Sequence, residues 1–268
     1  MIRIRSRGFK PSILVVAAAT LLAACDPGGQ GDPKRTEKID SAEAGYLPPP
    51  ALESVQRAGG RVTLVGAALP EADIRLGSPD GEVVLGKADP EGRWSVAVPI
   101  QPGVRLFGLS MTRDGRTVQA EGYVMVSEEG QVALLRAGAG AWRLAPASSA
   151  PRILAVDIDR AGGAVVSGVA APGAGLNVRI DRVVSGGGRA DDKGRFFIAM
   201  KDPMSRGPHD IQIGGEGGED QVTIAATPPL ALNSGPVRAE RVPTGWRIDW
   251  VTPGGGVQTT LLIRRDGR

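Results

Sequence analysis

Shifted by 102 residues, the chain aligns with itself without a gap, and this repeat constrains its fold more than any other feature. Gly66 falls on Gly168, Pro70 on Pro172, Ala72 on Ala174, Asp89 on Asp191, Gly92 on Gly194 and Arg93 on Arg195. Ten of the 32 positions from Gly66 to Ala97 are identical, more than the abundance of glycine and alanine would be expected to give alone. The apolar positions also keep phase, with Ile74 on Leu176, Leu76 on Val178, Trp94 on Phe196 and Val96 on Ile198. Two copies of one unit should therefore turn the same faces inward.

The phase that repeats has a period of two. Ile74 and Leu76 share one side of a segment, as do Trp94, Val96 and Val98. Arg61 to Val65, Val83 to Leu85, Val104 to Ser110, Thr117 to Val126, Gln131 to Arg136 and Ala141 to Leu144 are further short apolar segments, broken by Gly, Pro and Asp as at Pro79-Asp80-Gly81. Such segments without a long helical period predict an all-β chain built as antiparallel β-sandwiches. We read two tandem modules, 60–146 and 150–263, joined through the Ala- and Pro-rich stretch 145–151. The second ends in a hairpin: Gly245 to Val251, a Thr252-Pro253-Gly254-Gly255-Gly256 turn, and Val257 to Ile263. Trp246, Ile248 and Trp250 share one face of it, offering a candidate binding face for a sugar or a partner's apolar surface, or alternatively the core of a small sheet.

The repeated tract has the form GxAxPxA, two strands, then ADPEGRW or ADDKGRF. It resembles the bacterial immunoglobulin-like modules of envelope and surface proteins, in which an aspartate-glycine turn precedes an aromatic strand. The resemblance covers about forty residues per module and implies two tandem immunoglobulin-like β-sandwiches. Some alpha-proteobacterial envelope proteins carry such a module upstream of a peptidoglycan-binding LysM domain. No LysM-like tract occurs in these 268 residues, so that function is not carried over. Asp89 with Gly92, and Asp191 with Gly194, read as structural turns, because a short carboxylate bonds its own backbone two residues on and a catalytic residue need not occur twice.

The N-terminal 24 residues follow another logic. Arg3, Arg5, Arg7 and Lys10 precede an apolar run from Ile13 to Ala24, the order of a secretory signal. At 1.5 Å per residue that run makes about 18 Å of helix, short of a hydrocarbon core of roughly 30 Å. Leu22-Ala23-Ala24-Cys25 resembles the lipobox of bacterial lipoproteins. The resemblance implies a signal peptide at 1–24, diacylglycerol on the Cys25 sulfur and an acylated amine. Asp26 resembles the signal that retains lipoproteins in the inner membrane, so the expected place is that membrane, facing the periplasm, with the outer membrane as the alternative. Residues 25–59, rich in Gly, Pro and mixed charge, read as the lipidated cysteine and a flexible linker, with at most a turn or two of helix at Ala51 to Ala58. Cys25 is the chain's only cysteine, so no disulfide can staple the fold.

Removing the four leader bases from 32 leaves 28 against 29 acids, which gives no basic face for nucleic acid. No metal or cofactor site emerges. His209, the only histidine, follows Gly207-Pro208 and reads as an exposed loop residue; the serines lack a GxSxG elbow; Asp191-Asp192 lacks the spacing of a calcium loop. Gly186 to Gly188, and the glycines of 214–218, read as hairpin tips. The predicted function is non-catalytic: an envelope lipoprotein, held in the bilayer through acylated Cys25, that binds or scaffolds an envelope protein. The rivals are a peptidoglycan or glycan receptor and a glycan-active hydrolase using paired carboxylates.

Overall fold

The computed structural model describes residues 46–264. The expected signal peptide, Cys25 and Asp26 lie outside the described residues. Among the described residues there is no helix; 19 strands form four antiparallel sheets.

In the first sandwich, β1 (Ala51–Ala58), β2 (Arg61–Ala67) and β5 (Arg93–Pro99) make sheet I in the order β1-β2-β5. Facing it, sheet II runs β4-β3-β6-β7-β8-β9, from β3 (Asp73–Gly77), β4 (Val83–Lys87), β6 (Val104–Arg113), β7 (Arg116–Ser127), β8 (Val132–Leu135) and β9 (Trp142–Arg143). The first seven strands thus split as 1-2-5 against 4-3-6-7. The second sandwich repeats that order. β10 (Arg152–Ile158), β11 (Ala164–Val169) and β14 (Arg195–Ala199) face sheet IV, formed by β12 (Gly175–Ile180), β13 (Val183–Arg189), β15 (Gly207–Gly215) and β16 (Gly218–Ala226) in the order β13-β12-β15-β16. Sheet III then continues past β10 with β19 (Val257–Ile263), β18 (Gly245–Val251) and β17 (Val237–Val242), giving β14-β11-β10-β19-β18-β17. The architecture is two tandem antiparallel β-sandwiches of the immunoglobulin-like kind.

Period-two patterning explains the inner faces. Val62 and Leu64 on β2, Ile74 and Leu76 on β3, and Trp94, Val96 and Val98 on β5 close the first core with Phe107 and Leu109. Ile153, Val166, Leu176, Val178, Phe196, Ile198, Ile211 and Ile213 close the second.

The repeat also shows why its invariant glycines are glycines. Gly66 lies opposite Trp94 in the β2–β5 register, and Gly168 opposite Phe196 in the β11–β14 register. A methyl on Gly66 would strike the Ala51 carbonyl and sit 2.6 Å from the Trp94 ring; on Gly168 it would strike the Arg152 carbonyl and sit 2.7 Å from Phe196. Each aromatic side chain occupies the space a β-carbon on the glycine across from it would need.

Two expectations are corrected. Ala51 to Ala58 forms no helical turn: it is β1, pairing with β2 from Ala51↔Ala67 to Ala58↔Arg61, with Leu52 buried. The linker expected to reach residue 59 therefore gives way to the first sandwich at Ala51. Gly186 to Gly188 form no hairpin tip but lie within β13, where a methyl on Gly186 or Gly188 would meet Ile198 at 3.0 or 3.1 Å. The tip is Asp181-Arg182, two non-glycine residues with φ of 50° and 71°, between β12 and β13.

Gly66→Ala and Gly168→Ala should each lower the free energy of unfolding by about 1–3 kcal/mol, the cost of overpacking beside a fixed carbonyl. Gly254→Ala, whose methyl meets nothing within 4 Å, should stay within about 0.5 kcal/mol. Urea titrations of the three variants check this.

Candidate functional site

Strands outside the seven-strand unit join the outer faces of β6, β7 and β10 to build a third core. Leu106, Met125, Ala133, Leu135 and Ala141 of the first sandwich pack against Ala155, Trp246, Ile248, Trp250 and Leu262 of the second. The outer face of sheet II thereby closes on the outer face of sheet III. Trp246 is 5 % exposed and Ile248 and Trp250 are 0 % exposed, so the expected binding face is corrected: these residues are the joint between the sandwiches. Tyr123 meets Trp250 edge-to-face, with ring centroids 5.8 Å apart, and Trp250 Nε1 donates to Thr260 Oγ1 at 3.0 Å. At the rim, Trp246 Nε1 donates to Glu129 Oε2 at 2.9 Å, and Arg241 stacks on the Trp246 ring while pairing with Glu128 and Glu129.

Asp157 lies at the centre of this joint. It is the one acid in the apolar run of β10, on the opposite side from Val156 and Ile158, and it is 2 % exposed. Its Oδ2 accepts from the Ala141 amide of the first sandwich at 2.6 Å. Its Oδ1 accepts from Gln258 Nε2 at 3.0 Å and Thr260 Oγ1 at 2.5 Å. Gln258 in turn accepts from the Gly138 amide at 2.9 Å, and Ser167 Oγ donates to the Ala141 carbonyl at 2.7 Å. Burial pushes the Asp157 carboxyl up to about 6, against the hydrogen bonds of Thr260, Ala141 and Gln258 and the charge of Arg136. Arg136 stacks on Phe197, and Arg195 on Trp142, whose Nε1 is the buried side-chain polar atom among the described residues without a partner. Sequence reasoning missed Asp157, although a single acid inside Ile-Leu-Ala-Val-Asp-Ile was a readable signal.

A second buried pair lies on the other face of β18. Asp249, 0 % exposed, receives Thr259 Oγ1 at 2.6 Å, Arg238 at 2.8 Å and Arg247 at 3.0 Å. Arg247 also reaches the Thr227 and Pro228 carbonyls. With its carboxylate and these carbonyls engaged, the guanidinium is committed to the fold.

His209 is corrected too. It sits on β15 rather than in a loop, is 8 % exposed, and its Nδ1 lies 2.7 Å from Asp181 Oδ2. Its Nε2 is 3.2 Å from Ser205 Oγ and 2.9 Å from the Ser205 carbonyl. Serine, histidine and aspartate thus stand in line, yet the carbonyl requires a proton on Nε2, which leaves that nitrogen unable to accept one from the hydroxyl. A ring that donates from both nitrogens is an imidazolium. Burial works against that charge, but the Asp181 carboxylate and the Ser205 carbonyl outweigh it and raise the His209 pKa. The arrangement straps the segment before β15 to the β12–β13 turn.

Asp89 and Asp191 hold equivalent turns. Asp89 Oδ1 accepts from the amides of Glu91 at 3.1 Å and Arg93 at 2.8 Å, and Asp191 Oδ1 from those of Lys193 at 2.9 Å and Arg195 at 2.8 Å. Gly92 and Gly194 supply the positive φ, 81° and 74°. The Arg93 amide foremost holds the Asp89 carboxyl below the usual range; at Asp191 partial burial opposes ionisation, but the Arg195 bonds prevail. Asp159 repeats the device with Ala161 and Gly163. Among the described residues no group of three or more His, Cys, Asp or Glu could hold a metal ion.

No family model matches this chain. No curated protein matches it either. Among solved structures, a biofilm associated protein BSP domain aligns with 67 % of this chain and 30 % of its own, at 18 % identity and a TM-score of 0.23. A central fibronectin-III array of RIM-binding protein aligns with 83 % of this chain and 88 % of its own, at 14 % identity and a TM-score of 0.26. The chain thus spans under a third of the first structure's length. At such TM-scores neither superposition carries weight, and the sandwich assignment stands on strand order and register.

Two outcomes follow. Trp250→Ala should cost about 3–5 kcal/mol by denaturant titration, because the cavity opens between two sheets that cannot collapse independently. Acid should stabilise the fold down to mildly acidic pH. Asp157 has a folded pKa of about 6, above its ordinary 3.8, so the folded state takes up a proton first and stability rises as pH falls through 6 toward 4. The His209 contribution is fully present below about 6.5 and lost as pH rises through its raised value. The lowered carboxylates, Asp89, Asp181, Asp191, Glu128 and Glu129, act the other way: their contribution is present above the ordinary carboxylate range and is lost as pH falls from there through their folded values. The melting temperature should be higher at pH 5.5 than at pH 8 by calorimetry, with Asp157→Asn flattening the slope below pH 7.

Proposed function

We propose that the chain is a cell-envelope lipoprotein, anchored through acylated Cys25, whose paired sandwiches bind or space an envelope protein without covalent chemistry. The leader supports the anchor: four bases, an apolar run and small residues before Cys25. Two or more acyl chains hold a protein stably, each buried CH₂ contributing about 0.8 kcal/mol. Asp26 supports retention in the inner membrane, with the body in the periplasm.

One observation carries the binding role. The acids and the histidine most prominent as chemical candidates are engaged in structure: Asp89, Asp159 and Asp191 hold turns, Asp157 and Asp249 sit in buried networks, and His209 fastens a strap. Asp89 and Asp191 stand at equivalent points of separate sandwiches, which speaks against a shared cleft for hydrolysis. The tryptophan platform on which a glycan receptor would have relied is inside the joint. A compact body with an open sheet edge suits docking of an extended partner segment.

Crosslinking in native membranes should recover an envelope protein joined to this chain; recovery of none would count against the binding role. Cys25→Ser should leave an uncut precursor that no longer incorporates labelled palmitate, and labelling that persists would overturn the anchor.

A further inference from the structure

Sheet edges offer unpaired backbone groups, and most edges of this body are blunted. β17 carries Arg238, Glu240 and Arg241, β16 carries Glu219, Asp220 and Gln221, and β1 carries Glu53 and Arg57 beside a bulge. β9 has only two residues, and the chain leading into β10 places Ala147 over Gly194 at the mouth of β14. β4 differs. Its sequence is Val83-Val84-Leu85-Gly86-Lys87, with Leu85 71 % and Val83 44 % exposed.

Hydrogen bonds at both ends of the β3–β4 ladder set its phase. The Ser78 amide donates to the Glu82 carbonyl at 2.8 Å, and the Ala88 amide to the Ala72 carbonyl at 2.9 Å. By alternation, the backbone groups of Val83, Leu85 and Lys87 point away from β3. In the second sandwich one bond engages the same edge. There Ser185, Gly187 and Arg189 occupy the outward positions, and the Lys201 amide donates to the Ser185 carbonyl at 2.8 Å. Residue 99, the counterpart of Lys201, is proline and has no N–H to give. The first copy of the unit therefore lacks that bond and carries aliphatic side chains where the second has Ser and Gly.

We propose that β4 is a self-pairing edge, to which a second copy of this chain adds its own β4 antiparallel about a two-fold axis at Leu85. In this register every outward-pointing residue meets another: Leu85 faces Leu85 of the second copy, and Val83 faces its Lys87. No like charges stand opposite, whereas an axis at Lys87 would oppose two ammoniums. Lys87 keeps its pairing with Glu71 at 3.1 Å. The sheets II of two copies then run on as one, the isologous closure commonest among homodimers. Five residues make a short seam, so association is weak in dilute solution and strengthened by confinement on a surface. The seam depends on the edge alone and stands whether or not Cys25 is acylated.

Cysteine substitution in the full chain tests the register. Directly opposed, hydrogen-bonded residues have α-carbons about 5.5 Å apart, within disulfide range. Under mild oxidation Leu85→Cys should form a linked dimer. Val83→Cys alone should not, while Val83→Cys mixed with Lys87→Cys should. The unsubstituted chain, whose only cysteine is Cys25, sets the background. Leu85→Lys should reduce the dimer fraction in sedimentation equilibrium about tenfold or more, like charges then facing across the seam, with unchanged thermal unfolding because the side chain is exposed. A chain that sediments as monomer at every concentration, or Val83→Cys alone linking as well as Leu85→Cys, would overturn the proposal.

Discussion

The joint between the sandwiches is the constraint on which the rest depends. Asp157 brings a carboxylate into a dry space and is tolerated because donors from both sandwiches reach it: the Ala141 amide from one, Thr260 and Gln258 from the other. Around it, Trp246, Ile248 and Trp250 fill the gap that the outer faces of sheets II and III would otherwise expose to water. Separating the sandwiches would uncover that apolar surface and strand polar groups that have partners only in the closed state. The central strands of sheet III, β10, β19 and β18, are therefore buried on both faces, and β18 reads as six consecutive buried residues.

A division of labour follows along the chain. What repeats at 102 residues is the sandwich unit, with its glycine under an aromatic ring and its aspartate turn. What does not repeat, the strands β8 and β9 after the first unit and β17 to β19 after the second, supplies much of the joint. The two units meet through a packed core rather than through a flexible linker alone.

Much of the fold was legible in the sequence because local rules suffice for it. Period two marked β2, β3, β5 and the C-terminal hairpin, and the repeated ADxxGR tract marked both turns. The failures share one cause, dependence on contacts distant in sequence. β1 is half polar, with Leu52 as its one buried residue, and becomes a strand by pairing with β2. The glycines of β13 are extended because they pair with β12, and Ile198 fills the space a methyl on Gly186 or Gly188 would need. His209 looked like a loop residue because Asp181, its partner, lies 28 positions away. The Trp246 and Trp250 face looked available because nothing near it in sequence indicates that Leu106, Met125 and Leu135 cover it.

The most direct test of the coupled body is scanning calorimetry of the protein with both sandwiches present. If the third core joins them, unfolding is one transition whose calorimetric and van't Hoff enthalpies agree. Two resolved transitions, each carrying about half the heat, would contradict it.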